Sequence, residues 1–273
     1  MITLTLREPP DVPIEAEALC PDVTADRSHD EIRSLPVFLG KRQHRLDAFF
    51  DVAGEASEQL EIHGDAARVK WIGRGMTRGR INVVGNAGMH LGAHMKGGTI
   101  DVSGDASDWV DAEMSGGLIR VCGNAGGQIG AAYRGSLTGM TDGCILVDGS
   151  AGLEVGMRMK RGMIGVRGAV RDFAGLEMKG GTIVVGGAEL RTGAWMNRGT
   201  IISLTPIPLL PTFAYDCSYQ PTFLSLVGKS LQEHGYSIPC ERSDGSYLLY
   251  SGDTAVSRKG EILVWQPRDK TSG

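Results

Sequence analysis

The residues best placed to do chemistry are five basic side chains at related positions of an internal repeat. They comprise the lysine that follows a methionine in three copies and two arginines that flank the middle lysine, namely Lys96, Arg158, Lys160, Arg161 and Lys179. Because alternate residues of an extended chain point to opposite sides, a residue next to a buried methionine is predicted to face solvent. Such a row favours binding of an anionic partner or substrate tail. Ordinary solvated surface charge is the alternative interpretation.

The usual catalytic and metal-binding signatures do not occur in the sequence. It contains no Gly-x-Ser-x-Gly elbow, no His-Glu-x-x-His and no Walker loop. His90 and His94 are four residues apart, but no third ligand is in view, so we expect exposed histidines rather than a metal pair. The five cysteines include no Cys-x-x-Cys, which disfavours an iron–sulfur or zinc cluster. We therefore predict no catalytic residue and no metal ligand in this chain.

A repeat of 19 residues carries the basic side chains. Each copy ends in Met-x-x-Gly and restarts with Ile-x-Val-x-Gly. The methionines are Met76, Met95, Met114, Met140, Met159, Met178 and Met196, and the restart isoleucines are Ile81, Ile100, Ile119, Ile145, Ile164, Ile183 and Ile201. One step is longer, and its seven additional residues, around 133–139, are predicted to form a loop of undetermined role. A fixed period of this size is typical of a solenoid.

The alternation within each repeat predicts the fold class. Ile81, Val83 and Ala87 are followed by Leu91, Ala93 and Met95, so each copy is expected to hold one strand after the isoleucine and a second strand before the methionine. Glycine corners would separate the strands, and the methionines would fill the interior. The prediction is an all-β protein, a parallel β-helix of about seven coils. A helical solenoid is disfavoured because every copy contains several glycines.

The sequence divides into three predicted segments. Residues 1–50 are expected to cap one end, with an edge strand at Ile2, Leu4 and Leu6. Residues 51–203 form the β-helix repeats. Residues 204–273 are a C-terminal α+β tail that packs on the rod or on a partner subunit. The tail is expected to contain an amphipathic helix from Thr222 to His234, with Thr222 as its N-cap, and two strands.

Composition excludes several classes of function. The formal net charge of -4 gives no general attraction to nucleic acid or to an anionic membrane surface. No apolar stretch approaches the length of a membrane span, and the N-terminus is too polar for a signal peptide. With an odd number of cysteines, these features predict a cytoplasmic protein that binds neither nucleic acid nor membrane.

The repeat resembles that of two known families. The pattern Gly-x-x-Met-x-x-Gly-x-Ile-x-Val-x-Gly-x-Ala-Gly is similar to the C-terminal β-helix domain of the glutamate synthase large subunit. It more closely resembles the C-subunit of formylmethanofuran dehydrogenase. The flanking segments carry the second resemblance, through Pro21 and Asp22, residues 47–54, residues 250–253 and residues 259–263. It covers essentially the whole chain.

The resemblance implies a place in one-carbon metabolism. In methylotrophic bacteria the similar subunit belongs to the formyltransferase/hydrolase complex of formaldehyde oxidation. That complex transfers formyl from formyl-tetrahydromethanopterin to a methanofuran-like carrier and hydrolyses it to formate. The implied partners are a formyltransferase, a zinc amidohydrolase-like subunit and a dehydrogenase-derived B-subunit. This chain would be a structural member of the hetero-oligomer, with no cofactor of its own and with zinc on a partner.

Three alternatives remain open from the sequence. The first is the C-subunit of an archaeal-type dehydrogenase, with tungsten or molybdenum on a partner subunit. The second is a glutamate-synthase-like β-helix domain. The third, an independent carbohydrate-active hydrolase, is disfavoured because Asp101, Glu113 and Glu177 fall at scattered repeat positions. Under the leading interpretation, the five basic residues hold the anionic, glutamate-bearing tail of the furan carrier.

Overall fold

The computed structural model describes residues 1–267, which are mostly β. Two sheets are present, one of 13 strands and one of four. The N-terminal elements are β1 (Ile2–Leu6), β2 (Ile14–Glu15), α1 (Pro21–Thr24), α2 (His29–Arg33), β3 (Pro36–Leu39), β4 (Arg42–Arg45), a 3₁₀ turn (Leu46–Ala48) and β5 (Phe50–Gly54). The small sheet has the order β4-β3-β2-β7, in which β7 is Val69–Lys70.

The repeats supply the centre of the large sheet. Their strands are β6 (Gln59–His63), β8 (Arg80–Val84), β9 (Thr99–Val102), β10 (Ser115–Val121), β11 (Asp142–Val147), β12 (Met163–Val170), β13 (Lys179–Ala188) and β14 (Arg198–Ser203). They lie side by side in sequence order, and every neighbouring pair is parallel. Each repeat unit, counted from one restart isoleucine to the next, therefore adds one strand to the sheet.

The restart isoleucines stack in a single buried row. Register places one apolar side chain above the next over nine strands, at Leu60, Ile81, Ile100, Ile119, Ile145, Ile164, Ile183, Ile201 and Ile262. None of these residues is more than 1% exposed. Each fully buried side chain contributes about 1.5–3 kcal/mol to folding, so this row is a principal part of the core.

The repeat methionines face the interior, as predicted, and each is 0% exposed. The methionines also explain why a glycine follows three residues after the methionine of the next unit, as Gly98 follows Met95 and Gly117 follows Met114. A Cβ added to Gly98 would lie 2.5 Å from the Met76 Cε, and one added to Gly117 would lie 2.7 Å from the Met95 Cε. The methyl group of each methionine thus occupies the place of a side chain in the next unit. Because Gly98 and Gly117 also have φ of +85° and +101°, glycine is required twice over.

The predicted second strand is wrong. The segment before the methionine is a series of turns in which His90, Gly92 and His94 have φ of +63°, +66° and +60°. The N–H of His90 donates to the carbonyl oxygen of Asp108 in the next unit, and that of Gly92 donates to Ile72 in the preceding unit. Alternating left-handed residues therefore reproduce the period-two pattern of a strand without extended backbone.

The N-terminal segment is more tightly built into the sheet than expected. Strand β1 is not an edge strand, because it pairs in parallel with β6 and antiparallel with β5. Strand β5 forms this end of the sheet, and the His29 Nε2 lies 3.1 Å from the Val52 carbonyl oxygen. The 50/51 boundary falls within β5. Residues 51–54 of the predicted repeat segment thus share a strand with Phe50 of the predicted cap.

The C-terminal segment contains β15 (Ala214–Tyr219), α3 (Leu224–Glu233), α4 (Cys240–Ser243), β16 (Ser246–Gly252) and β17 (Lys259–Gln266). Strand β17 continues the parallel row beside β14, and β16 and β15 follow antiparallel. Helix α3 begins later than predicted, and Thr222 is not its N-cap; Phe223 holds that position without a side-chain hydrogen bond. Residues 268–273 of the predicted tail lie outside the described residues.

The tail covers one face of the sheet. The buried tail residues on this face are Leu224, Leu231 and Tyr236. They pack against apolar residues in one register row of the sheet, namely Leu146, Val184, Ile202 and Leu263. In earlier units the same row is polar, with Glu61, Asn82, Asp101 and Arg120. The change from polar to apolar residues along this row positions the tail. No helix within residues 1–267 is both long and apolar enough to cross a membrane.

Candidate functional site

The predicted basic residues do not form one continuous stripe. Lys96, Lys160, Arg161 and Lys179 are exposed, and Arg158 is half-buried. The units between Lys96 and Lys160 carry neutral residues at the equivalent position, Ser115 and Thr141. Lys160 and Lys179 belong to adjacent units, since the N–H of Lys179 donates to the Met159 carbonyl oxygen at 2.7 Å. The structure therefore separates Lys96 from a cluster in the last units.

Arg158 is committed to contacts within the chain. Its Nε donates to the Glu177 Oε2 at 2.8 Å, and its second terminal nitrogen donates to the Glu177 Oε1 at 3.3 Å. The remaining terminal nitrogen donates to the Ser136 carbonyl oxygen at 2.6 Å. The hydrogen-bonded Glu177 carboxylate raises the pKa of Arg158. Arg158 is thus less available to an external anion than its position in the repeat suggests.

The seven-residue insertion is held to neighbouring repeat units from both sides. Besides the Arg158 contact, the Lys179 Nζ donates to the Leu137 carbonyl oxygen at 2.5 Å. At the other end, the Tyr133 N–H donates to the Glu113 Oε1 at 3.1 Å. The side chain of Leu137 is 74% exposed. The insertion is a fixed projection rather than a free loop.

Tyr133 joins an aromatic cluster, defined here as Trp71, His90, Trp109 and Tyr133. The rings of Trp71 and His90 stack at 4.1 Å, and those of Trp109 and Tyr133 stack at 5.0 Å. The His90 Nδ1 lies 2.9 Å from the Tyr133 hydroxyl oxygen. The guanidinium of Arg74 sits 4.8 Å from the centre of the Trp71 ring. These contacts close one face of the early units.

The prediction of exposed histidines is wrong for His90. Burial in the aromatic cluster, together with the positive charges of Lys70 and Arg74, lowers the pKa of His90 to about 4. No sequence motif indicates this cluster, although the repeat contains a signal for it. Trp71, His90 and Trp109 are 19 residues apart and therefore share one repeat position.

The exposed basic cluster extends beyond the predicted residues. Register places Lys179 beside Arg198, and Arg198 beside Lys259. Arg198 and Lys259 are exposed, and neither forms an ion pair within the described part of the chain. Neighbouring strands are about 4.8 Å apart, so this row suits an elongated anion.

Asp111 is a buried acid at a position where other units have glycine. It has φ of +51°, and its equivalents Gly73, Gly92, Gly130 and Gly156 are also left-handed. The residue is 0% exposed, and neither carboxyl oxygen has a hydrogen-bond partner. Burial raises the pKa of Asp111 well above its ordinary value. Burial thus favours the protonated form of the carboxyl, which suits its interior position.

Among residues 1–267, no group of three or more histidine, cysteine, aspartate or glutamate side chains is arranged to hold a metal ion. The exposed features of the repeat units are a basic row and an anchored insertion with an exposed leucine at its tip. The chemistry available to them is electrostatic attraction and packing.

A family model described as the GXGXG motif matches residues 58–206. The chain is also 42% identical over 97 residues to the C-subunit of tungsten-containing formylmethanofuran dehydrogenase 2 of Methanothermobacter thermautotrophicus. That alignment covers 34% of this chain and 36% of the relative. The C-subunit of molybdenum-containing formylmethanofuran dehydrogenase 1 of Methanosarcina barkeri is 42% identical over 86 residues, or 30% of this chain and 29% of the relative. The chain thus aligns with about a third of the length of these relatives.

One solved structure is similar over almost the whole chain. It is a chain of the formyltransferase/hydrolase complex (FhcABCD) from Methylorubrum extorquens, crystallised in complex with methylofuran. The TM-score is 0.90 at 32% sequence identity, and the match covers 97% of this chain and 100% of the other. The likeness therefore includes the N-terminal cap and the C-terminal tail.

Proposed function

The chain belongs to the GXGXG motif family and to the family of formylmethanofuran dehydrogenase C-subunits, and on this premise we propose that it is a structural, non-catalytic subunit of a formyl-transferring complex. The proposed complex moves formyl from formyl-tetrahydromethanopterin to a methanofuran-like carrier and hydrolyses it to formate. Its other members are a formyltransferase, a zinc amidohydrolase-like subunit and a dehydrogenase-derived B-subunit. The proposed location is the cytoplasm.

The full-length structural likeness carries this proposal. A repeat alone would be shared by proteins of different function, since fold does not imply function. Here the match extends over 97% of this chain and all of a chain from a formyltransferase/hydrolase complex. Agreement in both flanks is what a shared binding environment would require. The proposal assigns zinc to a partner and no metal to this chain.

The proposed architecture is a parallel β-helix of about seven coils over residues 51–203, with a capping segment at residues 1–50 and a tail from residue 204. Strands from consecutive units pair in parallel and in sequence order, which supports this winding. Turn segments are bonded in the same order, since the N–H of Trp71 donates to Met89 and that of His90 donates to Asp108. Stacked units give a rigid rod suited to aligning partners.

The proposed carrier site is the basic cluster of the last units, centred on Lys160, Arg161 and Lys179. Lys160 and Arg161 are exposed and form no ion pair in the described chain. Lys179 lies in the adjacent unit, where its exposed ammonium also donates to the Leu137 carbonyl oxygen. A glutamate-bearing tail would meet complementary charge there. Lys96 is a more distant member, and Arg158 supports the insertion first. The proposed site therefore keeps three of the five predicted residues at its centre.

The scaffold role is tested by leaving the chain out. The sibling subunits are co-expressed with and without this chain, and their association is measured by size-exclusion chromatography with mass detection. We expect the formyltransferase and the hydrolase to separate without it and to rejoin when the purified chain is added. Retention of each partner's own catalytic activity after separation supports a non-catalytic role. An intact complex without the chain would contradict the proposal.

The carrier site is tested by charge reversal at Lys160 and Arg161, both to Glu, in the assembled complex. Lys229→Glu is the matched control, because Lys229 is an exposed lysine on α3, away from the row. Carrier content per complex is measured by mass spectrometry after denaturation. We expect about tenfold weaker retention, since two attractive contacts become repulsive. Equal carrier content in both variants would remove the site but leave the scaffold role.

A second candidate is the C-subunit of a tungsten or molybdenum dehydrogenase. It is favoured by the curated relatives that carry this name, although they align over only about a third of the chain. The two candidates differ in the metal of the partner subunits. Zinc without tungsten or molybdenum in the purified complex supports the first candidate. Either of the heavier metals, with a molybdopterin-binding partner, supports the second.

A further inference from the structure

One face of the rod differs between its two halves. This turn face is formed by the left-handed segments that precede the methionines. In the early units it carries Trp71, His90 and Trp109, and Tyr133 of the insertion packs over them. The insertion therefore acts as a built-in cover for the first half.

The second half of the same face has large apolar side chains without such a cover. Leu153 and Leu190, each six residues before a methionine, are 38% and 54% exposed. Trp195, one residue before Met196, is 52% exposed. Its backbone N–H is fixed by a 2.9 Å hydrogen bond to the Asp253 Oδ2, so the position of this residue is well determined. Exposed apolar groups on a rigid support mark an interaction surface.

The charges within this surface have partners inside the chain, and Glu154, which follows Leu153, accepts a hydrogen bond from the Gln128 Nε2 at 2.9 Å. Arg158 binds Glu177, and Arg191 binds Asp172 while covering the Phe173 ring at 4.1 Å. The cations at its margins are different: Arg134 on the insertion and Arg198 beyond Trp195 are exposed and form no ion pair within residues 1–267. The surface thus combines apolar side chains with internally partnered charges at its centre, and it is basic at its rim.

We propose that Leu153, Leu190 and Trp195, with Leu137 at the tip of the insertion, form a docking surface for another protein subunit. The partner is identified by chemistry as a surface with an apolar or aromatic centre and an acidic rim facing Arg134 and Arg198. Buried aromatic centres with charged rims are the usual form of such interfaces. This inference rests on the proposed function, because it assigns the partner to the same complex.

The test uses the full chain assembled with its sibling subunits. Leu190 and Trp195 are both replaced by Asp, and the matched control is Leu226→Asp, since Leu226 is 68% exposed on α3, outside the surface. Circular dichroism and the melting temperature verify that each variant folds. Affinity for the sibling subunits is measured by biolayer interferometry. We expect the double variant to bind about tenfold more weakly or worse, and the control to bind like the unaltered chain.

A second variant tests the acidic rim. Arg134→Glu should weaken binding most at low salt, and the difference from the unaltered chain should shrink as salt increases. Unchanged affinity of the double variant, or equal loss in the Leu226 control, would overturn the docking surface. Loss of self-association only, with sibling binding intact, would also overturn it. If the unaltered chain binds no sibling subunit, the proposed function itself fails, which separates the two results.

Discussion

Replacing Asp111 by glycine should stabilise the protein, although it removes a buried side chain. Asp111 occupies a repeat position that is glycine in other described units, at Gly73, Gly92, Gly130 and Gly156. A Cβ added at Gly92 would lie 2.4 Å from the Ile119 Cδ1 and 3.5 Å from the Asp111 Cγ. The carboxyl thus occupies the same interior space as the isoleucine row. It is both strained and unpartnered there.

The expected gain follows from three contributions. Relief of the left-handed backbone at φ of +51° gives about 1 kcal/mol. Removal of a buried polar group without a hydrogen-bond partner gives about 1–3 kcal/mol. The void left by the side chain, on the order of 40 Å³, costs about 1 kcal/mol. The free energy of unfolding should therefore rise by about 1–3 kcal/mol.

The gain should depend on pH with a defined sign. Burial raises the pKa of Asp111 above its ordinary value of 3.8, so the folded state keeps this proton longer than the unfolded state does. Below pH 3.8 the two states are equally protonated, and ionisation costs nothing. Above pH 3.8 the unaltered chain loses stability as pH rises towards the folded pKa. The advantage of Asp111→Gly should grow over that range.

Urea unfolding at several pH values between 4 and 8 measures this difference. Asp111→Asn is the matched control, because it keeps the shape and the backbone strain but cannot ionise. The difference between Asn and Gly variants should be constant with pH, whereas the difference between Asp and Gly should not. A less stable glycine variant, or a pH-independent gain, would refute the assignment of Asp111 to the interior.

Three further perturbations test the repeat and its aromatic cluster. Met114→Asp should lower the free energy of unfolding by about 4 kcal/mol or more, since Met114 is 0% exposed, whereas Met157→Asp at a half-buried position should cost far less in the same urea titration. Gly117→Ala should lower the free energy of unfolding by about 2 kcal/mol or more, because the new Cβ would lie 2.7 Å from the Met95 Cε. Its control is Gly135→Ala, since Gly135 is also left-handed but a Cβ there would have no atom within 4 Å, so this variant measures the backbone contribution alone. NMR titration should give His90 a pKa of about 4. The free energy of unfolding should therefore fall as pH drops from 6.5 towards 4. A His90 pKa near 6.5 would contradict burial of this ring in the aromatic cluster.

The repeat makes the interior of this protein predictable from sequence. A side chain that recurs at a fixed period must meet its own equivalents, so the methionine and isoleucine positions follow directly. The same 19-residue spacing aligns Trp71 with His90 and Trp109, and it aligns Asp111 with glycines. The aligned rings of Trp71, His90 and Trp109 and the acid at a glycine position can therefore be recognised from the repeat positions, whereas Tyr133, in the insertion, cannot.

Other features could not be predicted from local pattern. Alternating left-handed residues and extended strands both give a period of two, so the second strand was indistinguishable from a turn segment. The commitment of Arg158 depends on Ser136 and Glu177, which lie 22 and 19 residues away. The inner position of β1 depends on its antiparallel pairing with β5. In each case a long-range contact outweighs the local preference.

The most direct test of the central claim is purification of the tagged chain from its native host, with identification of what accompanies it. We expect a stable hetero-oligomer that contains a formyltransferase, a zinc-bearing amidohydrolase-like subunit and a furan carrier with a glutamate tail. Recovery of the chain alone would contradict this role.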